Sequence, residues 1–266
     1  MSNSTYGVTP SRVPHTLLEH EGDRQFATTL ARGMELLRCF SAEQPVLGNK
    51  ELAQQLQLPA ATVSRLTYTL TCMGYLAPAG HYGKYQLGSA VLSLGHPLLG
   101  QFTALRRQAR PLMLDLADAT GGTVAIGIRD RLSVVYIEVA RSWSKRVYPI
   151  EVGSSLSLAG TAVGRAVLMS CRQNEREALI NQLQVKAPDE WRHHGARLME
   201  NVQQFSRHGC CVALGEIFAD VQAVAVPLGR IGTVDDCAGA VSYLVSPQAA
   251  YITGNVIDVN GGYRMQ

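Results

Sequence analysis

From residue 28 to residue 73 the apolar positions recur at helical spacing in three runs, and the breaks between the runs are as informative as the runs themselves. The first predicts a helix over residues 28–40 with Leu30, Met34 and Leu37 as its buried stripe. In the second, Leu52, Ala53 and Leu56 share one face after Asn49, a good N-cap. Pro59 interrupts the pattern, because proline lacks a backbone donor and is tolerated only in a first helical turn or a connection. A third helix therefore starts near Pro59. Along it Val63, Leu66, Leu70 and Met73 form one stripe, Ala61, Ser64, Arg65 and Tyr68 lie opposite, and Gly74 supplies the stop. Residues 75–77 and 84–87 read as short strands around the glycine-rich turn at 79–83, which predicts a hairpin.

Further on, Ser89 caps a short helix to residue 94 that Gly95-His96-Pro97 breaks, and a longer helix runs over 102–119 to Gly121-Gly122. The pattern then switches to strands at 123–128 and 132–139, joined at Arg129-Asp130-Arg131, with another at 148–152. The small residues from Leu158 to Ala166 lead into a helix that continues through Met169. The expected fold class is α+β: an N-terminal winged helix-turn-helix domain and a C-terminal mixed α/β domain, linked by a helix.

A helix pair whose second member carries small, hydroxyl and cationic groups on its outer face is how a helix-turn-helix meets a DNA major groove. Small side chains admit the backbone, and Ser64 and Arg65 have donors for phosphate or base edges. The pair alone has a structural reading too, since a helical hairpin with one outer arginine packs inside many all-α domains. The hairpin that follows favours DNA, because it supplies a wing. Leu158 to Gly164 likewise has two readings: exposed amides at a helix start seat a carboxylate, or small residues let the helix pack closely.

The chain has 266 residues, 46% of them hydrophobic and 17% charged, which leaves room for two soluble domains. No stretch is apolar for long enough to span a membrane, and residues 1–21 lack a basic segment followed by an apolar run, so a cytoplasmic protein with no membrane partner is expected. From Arg24 to Arg110 nine basic side chains stand against three acidic ones, which suits a polyanion. Cys39, Cys72, Cys171, Cys210, Cys211 and Cys237 are scattered without metal-binding spacing, so free thiols are expected. Neighbouring Cys210 and Cys211 would point to opposite faces of a strand, which argues against an oxidation sensor, and His193-His194 reads as part of a solvated helix. No metal and no cofactor is implied.

The helix pair and wing resemble the winged helix-turn-helix of the IclR family of bacterial transcription regulators. The residues that carry this are Leu30-Ala31-Arg32-Gly33, Glu51-Leu52-Ala53, Leu58-Pro59, Thr62-Val63-Ser64-Arg65-Leu66 and Tyr85-Gln86-Leu87-Gly88. One departure is Ala60-Ala61, where the family often has lysine or serine. Three later segments, LMLDLADATGGTVAIGIRDRLSVVYIEVARS, GSSLSLAGTAVGRAVLMS and GCCVALGEIFADVQAVAVPL, are similar to the family's effector-binding domain. The resemblance implies a homodimer or dimer of dimers on double-stranded DNA (an operator), regulated by a small organic effector such as an organic acid or an aromatic compound. It implies DNA-binding positions at Ala61, Thr62, Ser64, Arg65, Tyr68, His81, Tyr82 and Lys84. The first five belong to the reading helix; His81, Tyr82 or Lys84 would lie near the backbone or minor groove. It places effector-binding positions at Leu158, Ala159, Gly160, Thr161, Ala162, Val163, Gly164, Ala213 and Ala223; the family often has an acid where Ala213 stands and a histidine where Ala159 stands. The implied division is a flexible leader at 1–25, the winged domain at 26–95, a linker helix at 96–120 and the effector domain at 121–228.

From about residue 227 the chain resembles the tail of short-chain dehydrogenases: PLGRIGTVDD, AVSYLVS and YITGNVIDVNGG. Locally this predicts a helix over 233–245 and a strand over 256–259 closed by Gly261-Gly262. A dehydrogenase needs a glycine-rich βα turn for the dinucleotide and a tyrosine with a lysine four residues on. The chain has neither, and Tyr68, Tyr82, Tyr136 and Tyr148 all lack that lysine. A regulator with a grafted tail at 229–266, and not an enzyme, is therefore expected. The graft either fills the vacated strand and helix or leaves a sheet edge open. The runner-up is a fusion remnant that folds or dimerises without responding to a ligand; a dehydrogenase-like oxidoreductase is a weaker third.

Overall fold

The structure is a computed structural model that describes residues 23–42, 44–80, 83–142, 150–217, 219, 221–228 and 255–260. Its contacts divide the chain into two units, with the change at Gln101/Phe102.

The first unit begins with α1 (Thr28–Arg38). Gly33 and Leu36 are its buried positions, with Phe40 buried just beyond, whereas Leu30 and Met34 are exposed. The expected stripe of Leu30, Met34 and Leu37 thus holds only at half-buried Leu37. Burial follows the face that packs against Leu66, where even a Cβ on Gly33 would stand at an ordinary 3.8 Å. Strand β1 (Leu47–Gly48) precedes α2 (Asn49–Leu56). Gly48 is the N-cap and Asn49 the first helical residue, so the helix starts one position earlier than expected; the Glu51 carboxylate accepts the Gly48 N–H at 3.1 Å and so closes the helix start. Asn49 bonds across to the next helix, its Oδ1 accepting from Thr67 Oγ1 at 3.0 Å.

Helix α3 (Ala60–Cys72) starts directly after Pro59, whose carbonyl accepts from the Thr62 and Val63 amides at 2.9 and 3.1 Å. Val63, Leu66, Thr67 and Leu70 face inward, whereas Met73, expected on that stripe, lies past the helix end and is exposed. Gly74, at φ +76°, turns the chain so that the Tyr75 amide bonds back to Leu70 O at 2.9 Å. Strands β2 (Leu76–Pro78) and β3 (Lys84–Leu87) form the expected hairpin, and β1 adds to it antiparallel, Leu47 opposite Tyr85, to give the order β1-β3-β2. Leu36, Leu47, Leu52, Leu56, Val63, Leu66, Leu70 and Leu76 build one core for this unit. Helix α4 (Ser89–Gln101) runs without a break through Gly95-His96-Pro97, contrary to expectation. Residues 92–98 are all exposed, so water meets the carbonyl that Pro97 leaves without a donor.

The second unit starts with α5 (Thr103–Thr120) and continues through β4 (Thr123–Asp130), β5 (Ser133–Arg141), β6 (Ser155–Ser157), α6 (Ala162–Ser170), α7 (Gln173–Lys186), α8 (Pro188–His208), β7 (Cys211–Leu214), β8 (Gln222–Pro227) and β9 (Asn255–Asn260). Of the strand expected at 148–152, residues 150–152 are loop and turn before β6, while 148 and 149 lie outside the described residues. The sheet order is β6-β5-β4-β9-β8-β7, with β9 parallel to both of its neighbours. A core of Ala125, Val134, Tyr136, Leu158, Ala162, Val163, Ala166, Leu183, Leu198 and Cys211 joins the sheet to α6, α7 and α8. Register slips between Ile126 and Gly127, so that Ile126 pairs with Glu138 and Gly127 with Tyr136. This bulge at Ile137 reverses the alternation of β5. Val134 and Tyr136 face the core under α6, while Glu138 turns to α5. The strand expected at 256–259 is β9; the helix expected at 233–245 lies outside the described residues. Among the described residues no helix is long and apolar enough to cross a membrane.

Candidate functional site

Two side-chain arrangements carry chemistry, one in each unit. In the first, burial of Val63, Leu66 and Leu70 leaves the opposite face of α3 to solvent. Ala61, Ser64, Arg65 and Tyr68 are exposed there, Tyr68 by 72%, and Thr62 is half-buried at the edge. Four residues that span a little over two helical turns thus offer a hydroxyl, a guanidinium, a phenol and a small gap on one face. The Asn49–Thr67 bond, which sequence reasoning did not single out, locks α2 to α3 from behind this face. Lys84 stands at the start of β3, but its ammonium pairs with Glu51, so its charge is partly met within the unit. The Lys84 hydrogen bond is the largest cause holding the Glu51 carboxyl below its ordinary value, with its own backbone amide next. His81 and Tyr82, also expected at the DNA, lie outside the described residues. The positive excess from Arg24 to Arg110 is smaller in effect than its count suggests, since Arg106 and Arg110 both bind Glu138, which is 3% exposed.

In the second unit the run from Leu158 to Gly164 is buried throughout, at the turn into α6. Ala213 and half-buried Ala223 face each other across the β7–β8 pair, whose strands pack against α6. Thr161 is the N-cap of α6, its Oγ1 accepting the Gly164 amide at 3.1 Å. A Cβ on Gly164 would lie 2.3 Å from Leu158 O, so here the absent side chain serves close packing. The preceding amides also have partners. Gly160 N–H donates to Ser157 Oγ at 2.7 Å and Ala159 N–H to Glu190 Oε1 at 3.1 Å, and Ser157 Oγ donates to the same carboxylate. The turn that was expected to offer amides to a ligand therefore already holds a carboxylate of the chain.

Beside it, sequence reasoning missed a buried charge cluster. Arg165, 1% exposed, donates from Nε to Ala159 O at 2.9 Å, from Nη1 to Val212 O at 2.6 Å and to Glu216 Oε1 at 2.8 Å, and from Nη2 to Glu216 Oε2. His194 Nδ1 lies 3.5 Å from that last oxygen, and the ring edge of His194 and the tip of Ile217 close over Gly160. His193, by contrast, is exposed, and its ring Nδ1 lies 2.6 Å from Asp189 O on its own helix. The signal available was an arginine among small apolar residues, a place where a charge needs a partner. Burial pushes the Cys211 thiol up to about 12. No group of three His, Cys, Asp or Glu among the described residues is placed to hold a metal ion.

Comparison with known proteins agrees with this two-part picture. The profile described as IclR helix-turn-helix domain matches residues 29–79, and that of the bacterial transcriptional regulator IclR C-terminal matches residues 101–248. The chain is 39% identical over 207 residues to the HTH-type transcriptional regulator TsaQ1/TsaQ2 of Comamonas testosteroni, covering 77% of this chain and 74% of that protein. It is 26% identical to the Pca regulon regulatory protein of Pseudomonas putida, over 78% of this chain and 71% of the relative. Among solved structures, an IclR family transcriptional regulator from Brucella abortus shares 42% identity and a TM-score of 0.68 over 77% of this chain and 78% of its own. An IclR homologue from Microbacterium hydrocarbonoxydans, solved with 4-hydroxybenzoate, shares the fold alone, at 18% identity and a TM-score of 0.56 over 75% of this chain and 82% of that one.

The C-terminal profile runs 20 residues past the boundary expected at 228. Nothing in the comparisons supports the dehydrogenase likeness of the tail, the remnant reading or an oxidoreductase. With a helix-turn-helix unit and an effector-type unit both matched along most of its length, the chain belongs to the IclR family of bacterial transcription regulators and is a DNA-binding regulator, not an enzyme.

Proposed function

We propose that the protein acts in the cytoplasm as a homodimer or dimer of dimers whose winged units read the half-sites of an approximate palindrome. Ser64, Arg65 and Tyr68 enter the major groove, Ala61 and Thr62 lie close to the DNA backbone, and the wing with His81, Tyr82 and Lys84 meets the backbone or minor groove. The exposed row Ala61, Ser64, Arg65, Tyr68 on a helix clamped from behind by its own core carries this reading. Reading falls to residues 26–95, linkage to 96–120 and sensing to 121–228, after a leader at 1–25, with α4 crossing the first of these boundaries.

Sensing belongs to the turn from Leu158 to Gly164 together with Ala213 and Ala223, where a small organic acid or aromatic compound would bind and shift the affinity for DNA. A likeness of residues 229–266 to the end of short-chain dehydrogenases rests on their sequence alone and adds no activity. The test is binding of the purified chain to DNA from just upstream of its own gene against a scrambled duplex at one fixed, moderate salt concentration. Selective binding that Arg65→Ala weakens is the expected result; equal binding to both duplexes would overturn the reading. Repeating the titration with 4-hydroxybenzoate and simple aliphatic acids then tests sensing separately.

A further inference from the structure

The sheet of the second unit is joined at its middle by the last of the described strands. β9 pairs in parallel with β4 over Thr123 to Ala125 and with β8 over Gln222 to Pro227. β4 and β8 are not neighbours in the sheet. Taking β9 away would leave an antiparallel β6-β5-β4 sheet and a separate β7-β8 hairpin, each with an open inner edge. A lone two-stranded hairpin is marginal in water, and open edges invite pairing with other chains.

The seam runs under α6. That helix packs on β4 and β5 from one half, on β7 and β8 from the other, and on β9 between them. Its leading turn is tied to both halves as well. The Leu158 amide donates to Leu132 O at 3.3 Å beside β5, while Arg165 donates to Val212 O at 2.6 Å in β7. The residues proposed to sense a ligand therefore sit where the two halves of the sheet meet.

We propose that residues 255–260 are a keystone strand: the gap between β4 and β8 is a strand seat filled by this chain's own C-terminal segment, and the turn and helix above it hold their shape only while it is filled. The strand lies beyond residue 248, where the family profile ends, so family membership does not assign it this role. The orientation fits a seat filled from far away in sequence, because parallel neighbours cannot be joined by a tight turn and need a long crossover. Residues 229–254 supply that length.

Hydrogen exchange on the full chain tests this directly. In the native protein the amides of residues 255–260 should exchange as slowly as those of β4 and β8, at least about a thousandfold slower than an open chain, which is the lower end of folding equilibria for small domains. Ile257→Pro removes a ladder donor inside the strand, since each N–H of a central strand bonds to one neighbour or the other. It should speed exchange in β4, β8 and β9 by more than about tenfold, while the amides of α2 and α3, held by a separate core, stay as they were. Ile257→Val should leave all of them unchanged. Open-chain exchange at residues 255–260 in the native protein, or unchanged protection of β4 and β8 in Ile257→Pro, would overturn the proposal. If Ile257→Pro does not yield folded protein, the native measurement decides by itself.

Discussion

Replacing Glu216 with alanine should strongly destabilise the second unit, and the reason is the arginine it would strand. Arg165 has 1% of its surface exposed, and its guanidinium makes bonds to two carbonyls and to both oxygens of Glu216. Glu216→Ala removes two charge-assisted hydrogen bonds, each contributing about 1.5–3 kcal/mol, together with the countercharge of a buried cation. Breaking a buried pair from one side costs about 3–5 kcal/mol, a large part of the roughly 5–15 kcal/mol that stabilises a domain. Urea unfolding at neutral pH, followed by circular dichroism, would measure it. Arg165→Met in the same chain should recover part of the loss, because the stranded charge is gone. A cost below about 1 kcal/mol for Glu216→Ala, or a double variant as unstable as the sum of the two single ones, would refute the reasoning. Acid should act through the same carboxyl. Burial pushes Glu216 up, but hydrogen bonds and charges from His194 and Arg165 outweigh it and hold the group below its ordinary 4.5. A depressed carboxyl stabilises the fold above its unfolded value and loses that contribution as pH falls through the folded one. Stability should therefore hold from neutrality to about pH 5 and decline below it, and Glu216→Gln should flatten that decline.

Other outcomes follow from neighbouring contacts. Gly164→Ala puts a methyl 2.3 Å from Leu158 O, a backbone atom that cannot swing aside, so thermal unfolding should show a loss of about 1–3 kcal/mol. Glu138→Ala should cost less than Glu216→Ala, about 1–2 kcal/mol in urea, because the arginines it releases are 30% and 54% exposed and can hydrate. A cost equal to that of Glu216→Ala would show that α5 depends on Glu138 as much as α6 depends on Glu216.

Much of the reading unit was legible because its signals are local. Pro59 and Gly74 bound α3 by removing a donor and by adopting φ +76°, which are properties of single residues. Where burial is decided by a partner helix, sequence periodicity misled: Leu30 and Met34 are as apolar as Leu36, and only the packing of α1 against α3 selects the face that carries Gly33 and Leu36. Pro97 failed as a breaker for a related reason, since a helix in solvent tolerates one unpaired carbonyl. The sensing unit was legible as a succession of strands and helices but not as a site. Arg165, Glu190, His194 and Glu216 are spread over 52 residues and converge only through tertiary packing. The bulge at Ile137, which turns Glu138 toward α5, is marked only by Gly127 on the facing strand, a glycine that the periodicity of 123–128 absorbed as an ordinary strand position.

The distribution of charge leads to a last expectation, about salt. Counting side chains from Arg24 to Arg110 suggests a strongly cationic reader, with nine bases against three acids. The structure redistributes them: Arg106 and Arg110 are held by Glu138, in the second unit, and Lys84 is paired with Glu51. On the helix-turn-helix pair α2 and α3, Arg65 and Lys50 remain exposed, while Arg24, Arg38 and Arg107, also exposed, lie on neither of these helices. A protein that neutralises Z phosphates loses affinity with a slope of about −0.9Z in log salt. Two such cations per winged unit give a slope of about −2 for one unit and about −4 for a dimer on two half-sites. That is shallow for a regulator, and it assigns selectivity to base contacts by Ser64 and Tyr68 and not to bulk attraction. Titrating the operator duplex at several salt concentrations measures the slope. A value near −4 that falls by about 2 in Arg65→Ala fits two engaged copies, each losing one phosphate contact. A slope near −8 would mean that Lys84 leaves Glu51 for the DNA or that further bases join it, and the partial neutralisation argued from the free structure would then not survive binding.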